Sequence, residues 1–244
     1  METLRRIFNI GIVNELFAQK YVAETSDSTL YELHPAIAIA SFILVLFIGY
    51  LLGSFNFATF ISKRTYKEDI REHGSGNAGM TNMMRTYGKK AAALTLLGDA
   101  LKAIIAVIIG YILIGTDGAY VAGIGSMIGH TWPLYYNFKG GKGVVTAIVM
   151  ILCTNFWVGI ILLLLFVGIV AATKYISLGS IMGALMYPIL LSNFNGLNTI
   201  VKLICAFLVT ILLVFNHRSN IKRLYEGKEN KFAFKKSKET PKED

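Results

Sequence analysis

The chain has 244 residues, 54% of them hydrophobic and only 16% charged, with a formal net charge of +9. The charged share lies well below the roughly 25% of a soluble domain, and the apolar residues fall in long charge-free blocks, the pattern of membrane spans. A soluble nucleic-acid binder is thereby excluded as the source of the positive charge, which instead reports basic loops on one side of a bilayer and attraction to anionic lipid.

Residues 1–34 carry five acidic and three basic residues among scattered apolar ones. Ile7 to Phe17 can form a short amphipathic helix on the membrane surface, or the terminus can stay unordered. From Pro35 to Ser62 no residue is charged, which is ample for one span at about 20 residues per crossing. The loop that follows holds seven basic residues between 63 and 90 against three acidic ones, which marks it as cytoplasmic and places the N-terminus outside.

That loop contains His73-Gly-Ser-Gly-Asn-Ala-Gly-Met-Thr-Asn82, followed by Arg85. Glycines interleaved with hydroxyl and amide side chains offer bare N–H groups and small donors to an oxyanion. The letters also spell G-x-G-x-x-G, but that fingerprint signifies a nucleotide site only between a strand and a helix, and here apolar runs flank it.

A second span runs from about Ala91 to Ile114 and contains Asp99 and Lys102, three apart and on one helix face. Charges at such depth pair and face the interior or an aqueous cavity, so this pair either fixes helix packing or belongs to a site. A third span covers about Ala119 to Tyr136, with His130 and Pro133 near its inner end. Then comes Phe138-Lys-Gly-Gly-Lys-Gly-Val144, which lacks P-loop spacing. Alone it reads as a flexible basic loop, although it can present backbone donors and an ammonium to phosphate.

Val144 to Thr173 is long for one helix and short for two. A turn at Asn155 between two short crossings is preferred, because every basic polar cluster then falls on one face. Two further spans, about Ile176–Leu191 and Thr199–Phe215, lead into His217-Arg-Ser-Asn-Ile-Lys-Arg223 and a charged tail. Cys153 and Cys205 read as buried small hydrophobes, and no G-x-x-x-G stripe is prominent enough to predict a dimer. The expected architecture is an all-α polytopic membrane protein of about seven transmembrane helices, N-terminus outside and C-terminus cytoplasmic. Its expected parts are an N-terminal extension (1–34), an integral membrane domain (35–224) and a charged cytoplasmic tail (225–244).

Three polar clusters, 73–85, 138–143 and 217–223, therefore converge on one face. They offer no paired carboxylates, no zinc-type His/Cys spacing and no nucleophile elbow around Ser75. No histidine has an Asp five positions on. What remains is chemistry driven by positive electrostatics and positioning, as for a pre-activated phosphate leaving group. The attacking hydroxyl would need a proton acceptor within about 3 Å. His217 is the side-chain candidate, with Asn220 on the same helical face, although a histidine there can also simply cap the last helix.

The runs Gly-Ser-Gly-Asn-Ala-Gly-Met-Thr-Asn at 74–82, Phe-Lys-Gly-Gly-Lys-Gly-Val at 138–144 and His-Arg-Ser-Asn-Ile-Lys-Arg-Leu at 217–224 resemble the three motifs of the bacterial acyl-phosphate-dependent glycerol-3-phosphate acyltransferases, the PlsY family. Gly98-Asp-Ala-Leu-Lys102 also matches, and the resemblance covers about residues 36 to 229. It implies a seven-helix enzyme of the bacterial plasma membrane with its site facing the cytoplasm. The enzyme would move an acyl group from acyl phosphate to the sn-1 hydroxyl of glycerol 3-phosphate, giving lysophosphatidic acid and phosphate, with neither cofactor nor metal. The family's motif residues fall on Ser75, Arg85, Lys142, His217 and Asn220. Ser75, His217 and Asn220 are the candidate catalytic residues. The candidates for holding substrate phosphate are Gly74, Gly76, Asn77, Thr81, Asn82, Arg85, Lys102, Gly140, Gly141, Lys142, Arg218 and Arg223. Whether His217, Ser75 or a substrate phosphate oxygen takes the proton is open. Met80 stands where the family usually has alanine, and the N-terminal extension is longer than its norm. The rival reading is a membrane transporter or binding protein for an organic phosphate, supported by the same basic clusters and by Asp99 and Lys102 within a span.

Overall fold

The computed structural model describes residues 11–12, 18–22, 29–33, 35–194 and 199–232. Two short strands, β1 (Ala18–Val22) and β2 (Thr29–Leu33), pair antiparallel with Ala18 opposite Leu33. Part of the N-terminal extension is thus extended chain. The surface helix expected over Ile7 to Phe17 lies, except for Gly11 and Ile12, outside the described residues.

The rest is helical. After α1 (Pro35–Gly53) come α2 (Phe57–Ile61), which runs into a π-helical turn at Ser62–Tyr66, and α3 (Met80–Tyr87). Then follow α4 (Lys89–Ile114), α5 (Thr116–Thr131), α6 (Val144–Thr154) and α7 (Phe156–Thr173). The chain closes with α8 (Ile176–Asn193), α9 (Ile200–Asn216) and α10 (Arg218–Tyr225).

Residue chemistry sets the ends of these helices. Gly88 and Gly115 bracket α4 at φ 88° and 76°, conformations in which a side chain would be strained. The long apolar run 144–173 breaks at Asn155, whose side chain accepts from Val158 N and so starts a new helix. At 11 residues α6 is only about 16 Å long, half the hydrocarbon core. Among the described residues, four helical runs can cross a membrane by length and composition, namely Ala36–Tyr66, Lys89–Ile114, Phe156–Thr173 and Ile176–Asn193. A fifth is α9 with α10, if that pair, bent by 56°, counts as one.

The outward faces are apolar. Ile43, Leu97, Leu164 and Ile211 are each more than half exposed, as lipid-facing residues are. Cys205 is buried as expected, whereas Cys153 on α6 is exposed.

The innermost helix is α5. It packs against α1, α4, α6 and α9. Its glycines let it approach α1 closely. A Cβ on Gly129 would lie 2.7 Å from Ser54 N, and one on Gly125 would lie 2.9 Å from Tyr50 N. The facing glycines of α1 are Gly49 and Gly53. Each pair has G-x-x-x-G spacing, used here within the chain. On the other flank of α5, the core of Tyr120, Met127, Met150, Val158, Tyr187 and Val209 joins α6 to α9.

Candidate active site

The loop from 67 to 79 is shaped by side chains that cap its own backbone. Asn56 Nδ2 donates to Ala78 O at 3.2 Å, and Ser62 Oγ accepts from Ile70 N at 3.1 Å. Asn82 is the hub. Its Oδ1 accepts from Ser75 N at 2.9 Å, and its Nδ2 donates to Ile70 O and His73 O at 3.2 and 2.9 Å. Both amide protons are committed to the loop's own carbonyls, so Asn82, which also lines the cavity described below, shapes the loop. Gly74, at φ 61°, turns the chain there but does not line the cavity described below, and Gly76 N donates to His73 O. Arg71 ties this loop to the next one. Held by Asp69 through Nε and Nη2 (2.9 and 2.7 Å), it donates from Nη1 to the carbonyls of Tyr136 and Lys139 (2.7 and 3.2 Å). Hydrogen bonds from Arg71 hold the Asp69 carboxyl well below the usual carboxylate range.

The second glycine loop is pinned from behind. Gly140 N donates to Thr131 O and Gly141 N to His130 O, so neither N–H is free for a ligand. Among the described residues the N–H groups of Lys142 and Gly143 have no acceptor. They continue into the uncommitted donors at the N-terminus of α6. Lys102, expected at a phosphate, is buried elsewhere. Its ammonium contacts Asp99 Oδ1 (2.8 Å), Phe55 O (2.8 Å) and His130 Nδ1 (3.0 Å), and it does not line the cavity. The pairing with Asp99 that the sequence anticipated is present. It commits the charge that a substrate would have needed.

A cavity of about 700 Å³ joins the clusters. At its polar end stand Ser75, Asn77, Thr81, Arg85, Lys142, His217, Arg218, Asn220 and Arg223. Away from them its walls are apolar, formed by Ile148, Ile151, Leu162, Phe166, Tyr187 and Leu213. Arg85 is exposed and bonds to no described residue, so its guanidinium is available. Arg218 donates to Phe215 O at 3.1 Å and lies over the Phe215 ring.

Lys142 Nζ donates to Asn220 Oδ1, Asn220 Nδ2 donates to Glu229 Oε1 at 2.7 Å, and Arg223 Nε donates to Glu229 Oε2 at 2.7 Å. Ser177 Oγ completes the carboxylate's shell at 2.8 Å. Burial lowers the Lys142 ammonium to about 8; Glu229 opposes this, while Arg223 and Arg85 add to it. Glu229 is held below its ordinary value, because hydrogen bonds from Asn220, Ser177 and Arg223 outweigh its burial.

His217 Nδ1 lies 2.8 Å from Leu213 O. A carbonyl can only accept, so Nδ1 carries the proton and Nε2 presents a lone pair. Burial, with the nearby Lys142 charge, lowers this imidazole to about 4, so it is neutral at neutral pH.

The glycerol-3-phosphate acyltransferase family profile matches residues 43–227. A glycerol-3-phosphate acyltransferase of Thermoanaerobacter pseudethanolicus is 43% identical over 193 residues, covering 79% of this chain and 96% of the relative. One from Clostridioides difficile is 42% identical over 207 residues, covering 81% and 98%. The chain belongs to the glycerol-3-phosphate acyltransferase family. Two crystal structures of PlsY, an integral membrane member of that family, also resemble it. The glycerol 3-phosphate form gives a TM-score of 0.73 at 34% identity, covering 79% of this chain and 96% of that one. The lysophosphatidic acid form gives 0.71 at 33%, covering 80% and 96%.

For this family member the structure gathers Ser75, Arg85, Lys142, His217 and Asn220 around one cavity, and it adds Glu229 and Ser177, which sequence reading passed over. Glu229 lies beyond α10 in what reads as a charged tail. The chain there folds back, and Phe232 N donates to Lys174 O at 2.7 Å. A hint was present in the sequence, since Gly227 at φ 67° permits the reversal and Glu229 follows two residues later. Ser177 gave no signal, being one small polar residue at the start of an apolar helix.

Proposed function

We propose that the chain transfers a fatty acyl group from acyl phosphate to the sn-1 hydroxyl of glycerol 3-phosphate. The products are lysophosphatidic acid and inorganic phosphate, the first step of phospholipid synthesis. The enzyme sits in a bacterial plasma membrane with N-terminus outside, C-terminus inside and site facing the cytoplasm, as the basic loops favour. One observation carries this reading. A single cavity is lined by Arg85, Lys142 and the open N–H groups of Lys142 and Gly143 and also by a set of apolar side chains from α6 to α9. That shape suits a ligand with a phosphate head and an alkyl tail, beside a second, wholly polar ligand.

In the proposed step the glycerol hydroxyl oxygen attacks the acyl carbonyl carbon. The carbon–oxygen bond to phosphate breaks, and inorganic phosphate leaves with that electron pair. The hydroxyl proton passes to His217 Nε2 or to a substrate phosphate oxygen. Arg85 and Lys142 hold phosphate oxygens and stabilise the departing charge, Asn220 aims Lys142, and Ser75 contacts the acyl phosphate from the facing loop. Removing one such preorganised donor costs about 10²–10³ in kcat, so Lys142→Ala is expected to lose that much. Anionic substrate beside His217 raises the imidazole's affinity for a proton as it is needed.

Purified protein with labelled acyl phosphate and glycerol 3-phosphate tests the reading. Phosphate release that requires both substrates supports it. Uptake of organic phosphate by proteoliposomes with no turnover would overturn it. Near-normal turnover in both His217→Ala and Ser75→Ala would remove the side-chain base.

A further inference from the structure

The buried cluster of Asp99, Lys102 and His130 has no part in the step above, and its three side chains are at most 5% exposed. His130 Nδ1 lies 3.0 Å from Lys102 Nζ and 3.5 Å from Asp99 Oδ1; at the shorter contact a charged ammonium can only donate, so Nδ1 is read as the acceptor. The ammonium also donates to Phe55 O and is ion-paired with Asp99 Oδ1, both at 2.8 Å. The neutral ring therefore carries its proton on Nε2. That nitrogen lies beside Gly141, where an added Cβ would collide with it, so only the bare glycine backbone separates the ring from the second glycine loop. His130 lines the cavity alongside Gly141 and Lys142. Among the described residues no acceptor is bonded to Nε2. The Ala78 carbonyl on the same side of Gly141 accepts from Asn56 Nδ2 at 3.2 Å.

We infer that His130 is a substrate-contacting residue, whose Nε2–H donates to a phosphate oxygen bound against the second glycine loop. Asp99 and Lys102 are the positioning residues that fix its tautomer. An ionised phosphate oxygen only accepts, which matches a ring edge that only donates. The inference rests on the acyl-transfer reading for the identity of the ligand, but not for the direction of the hydrogen bond.

Two isosteric variants test it. In H130N the side-chain oxygen can replace Nδ1 opposite Lys102 while the Nε2 donor is lost. In H130Q an amide N–H can stand where Nε2–H stood. H130N is expected to raise KM at least about ten-fold for whichever substrate sets its phosphate at Gly141, and to weaken inhibition by inorganic phosphate similarly. H130Q should restore most of both. A change in KM for glycerol 3-phosphate alone, or for acyl phosphate alone, identifies which phosphate sits there. Wild-type constants in H130N, or H130Q no better than H130N, overturn the inference while leaving acyl transfer intact.

If wild-type protein does not turn over, the acyl-transfer reading fails, and inorganic phosphate alone decides on His130. A rise in thermal midpoint with phosphate in wild type and H130Q but not in H130N supports the contact, and equal rises overturn it. If neither variant folds, ¹⁵N-histidine NMR of wild type decides. A His130 ring protonated at Nε2, with a resonance that moves on adding phosphate, supports the inference. A proton on Nδ1, or no response, overturns it.

Discussion

At the scale of single residues, the site is a set of groups whose ionisation is set by neighbours. Lys142 at about 8 is charged below that pH and loses its proton as pH rises through it. Because kcat/KM reports the free enzyme, its value for glycerol 3-phosphate is expected to fall above pH 8, read from initial rates across pH 6 to 10. Glu229 helps to hold that ammonium charged, so Glu229→Gln should shift the alkaline limb to lower pH and reduce turnover. An unshifted limb would disconnect Glu229 from Lys142. The neutrality of His217 follows from burial and the nearby Lys142 charge, neither visible in a string of letters. The basic character of 217–223 was visible, and it is what singled the segment out.

At the scale of elements, loops rather than helices decide how the site is built. Asn82, at the start of α3, holds the first glycine loop through three hydrogen bonds to its backbone. Asn82→Ala leaves buried partners unmet at about 1–3 kcal/mol, read as lost thermal stability in detergent, and should lower turnover by loosening Ser75. The alternation of glycine with small polar residues marked this loop. It did not reveal which side chains face substrate and which face the loop itself, since both uses call for the same residue types. The second loop teaches the same lesson. Its glycines read as a phosphate cradle, yet Gly140 and Gly141 spend their N–H groups on the end of α5, and the open donors come one and two residues later.

At the scale of the whole molecule, α5 organises the bundle, and its contact with α1 has no room for a side chain. Gly129→Leu should therefore prevent α1 from docking. Loss of the folded species in size-exclusion chromatography of detergent extracts is the expected result, and a normal profile with full activity would refute the close packing. The cavity runs between the glycine loops and the apolar faces of α6 to α9, so acyl phosphates of graded chain length should differ chiefly in KM. No chain-length dependence would argue against a tail in that space.

The helical membrane class, the clustering of the basic loops on one face and the three motifs of the family are legible in the amino-acid string, because each is written in composition or local spacing. The break at Asn155 was legible for the same reason, as a polar residue in a long apolar run. It is the fold that adds Phe55 and His130 to the Lys102 ammonium, returns Glu229 to brace Asn220 and sets His130 Nε2 beside Gly141. The reason is physical. A buried polar group acts through whichever partners satisfy its protons and lone pairs, and His130 and Phe55 stand 28 and 47 residues away from Lys102, a distance at which sequence spacing carries no information.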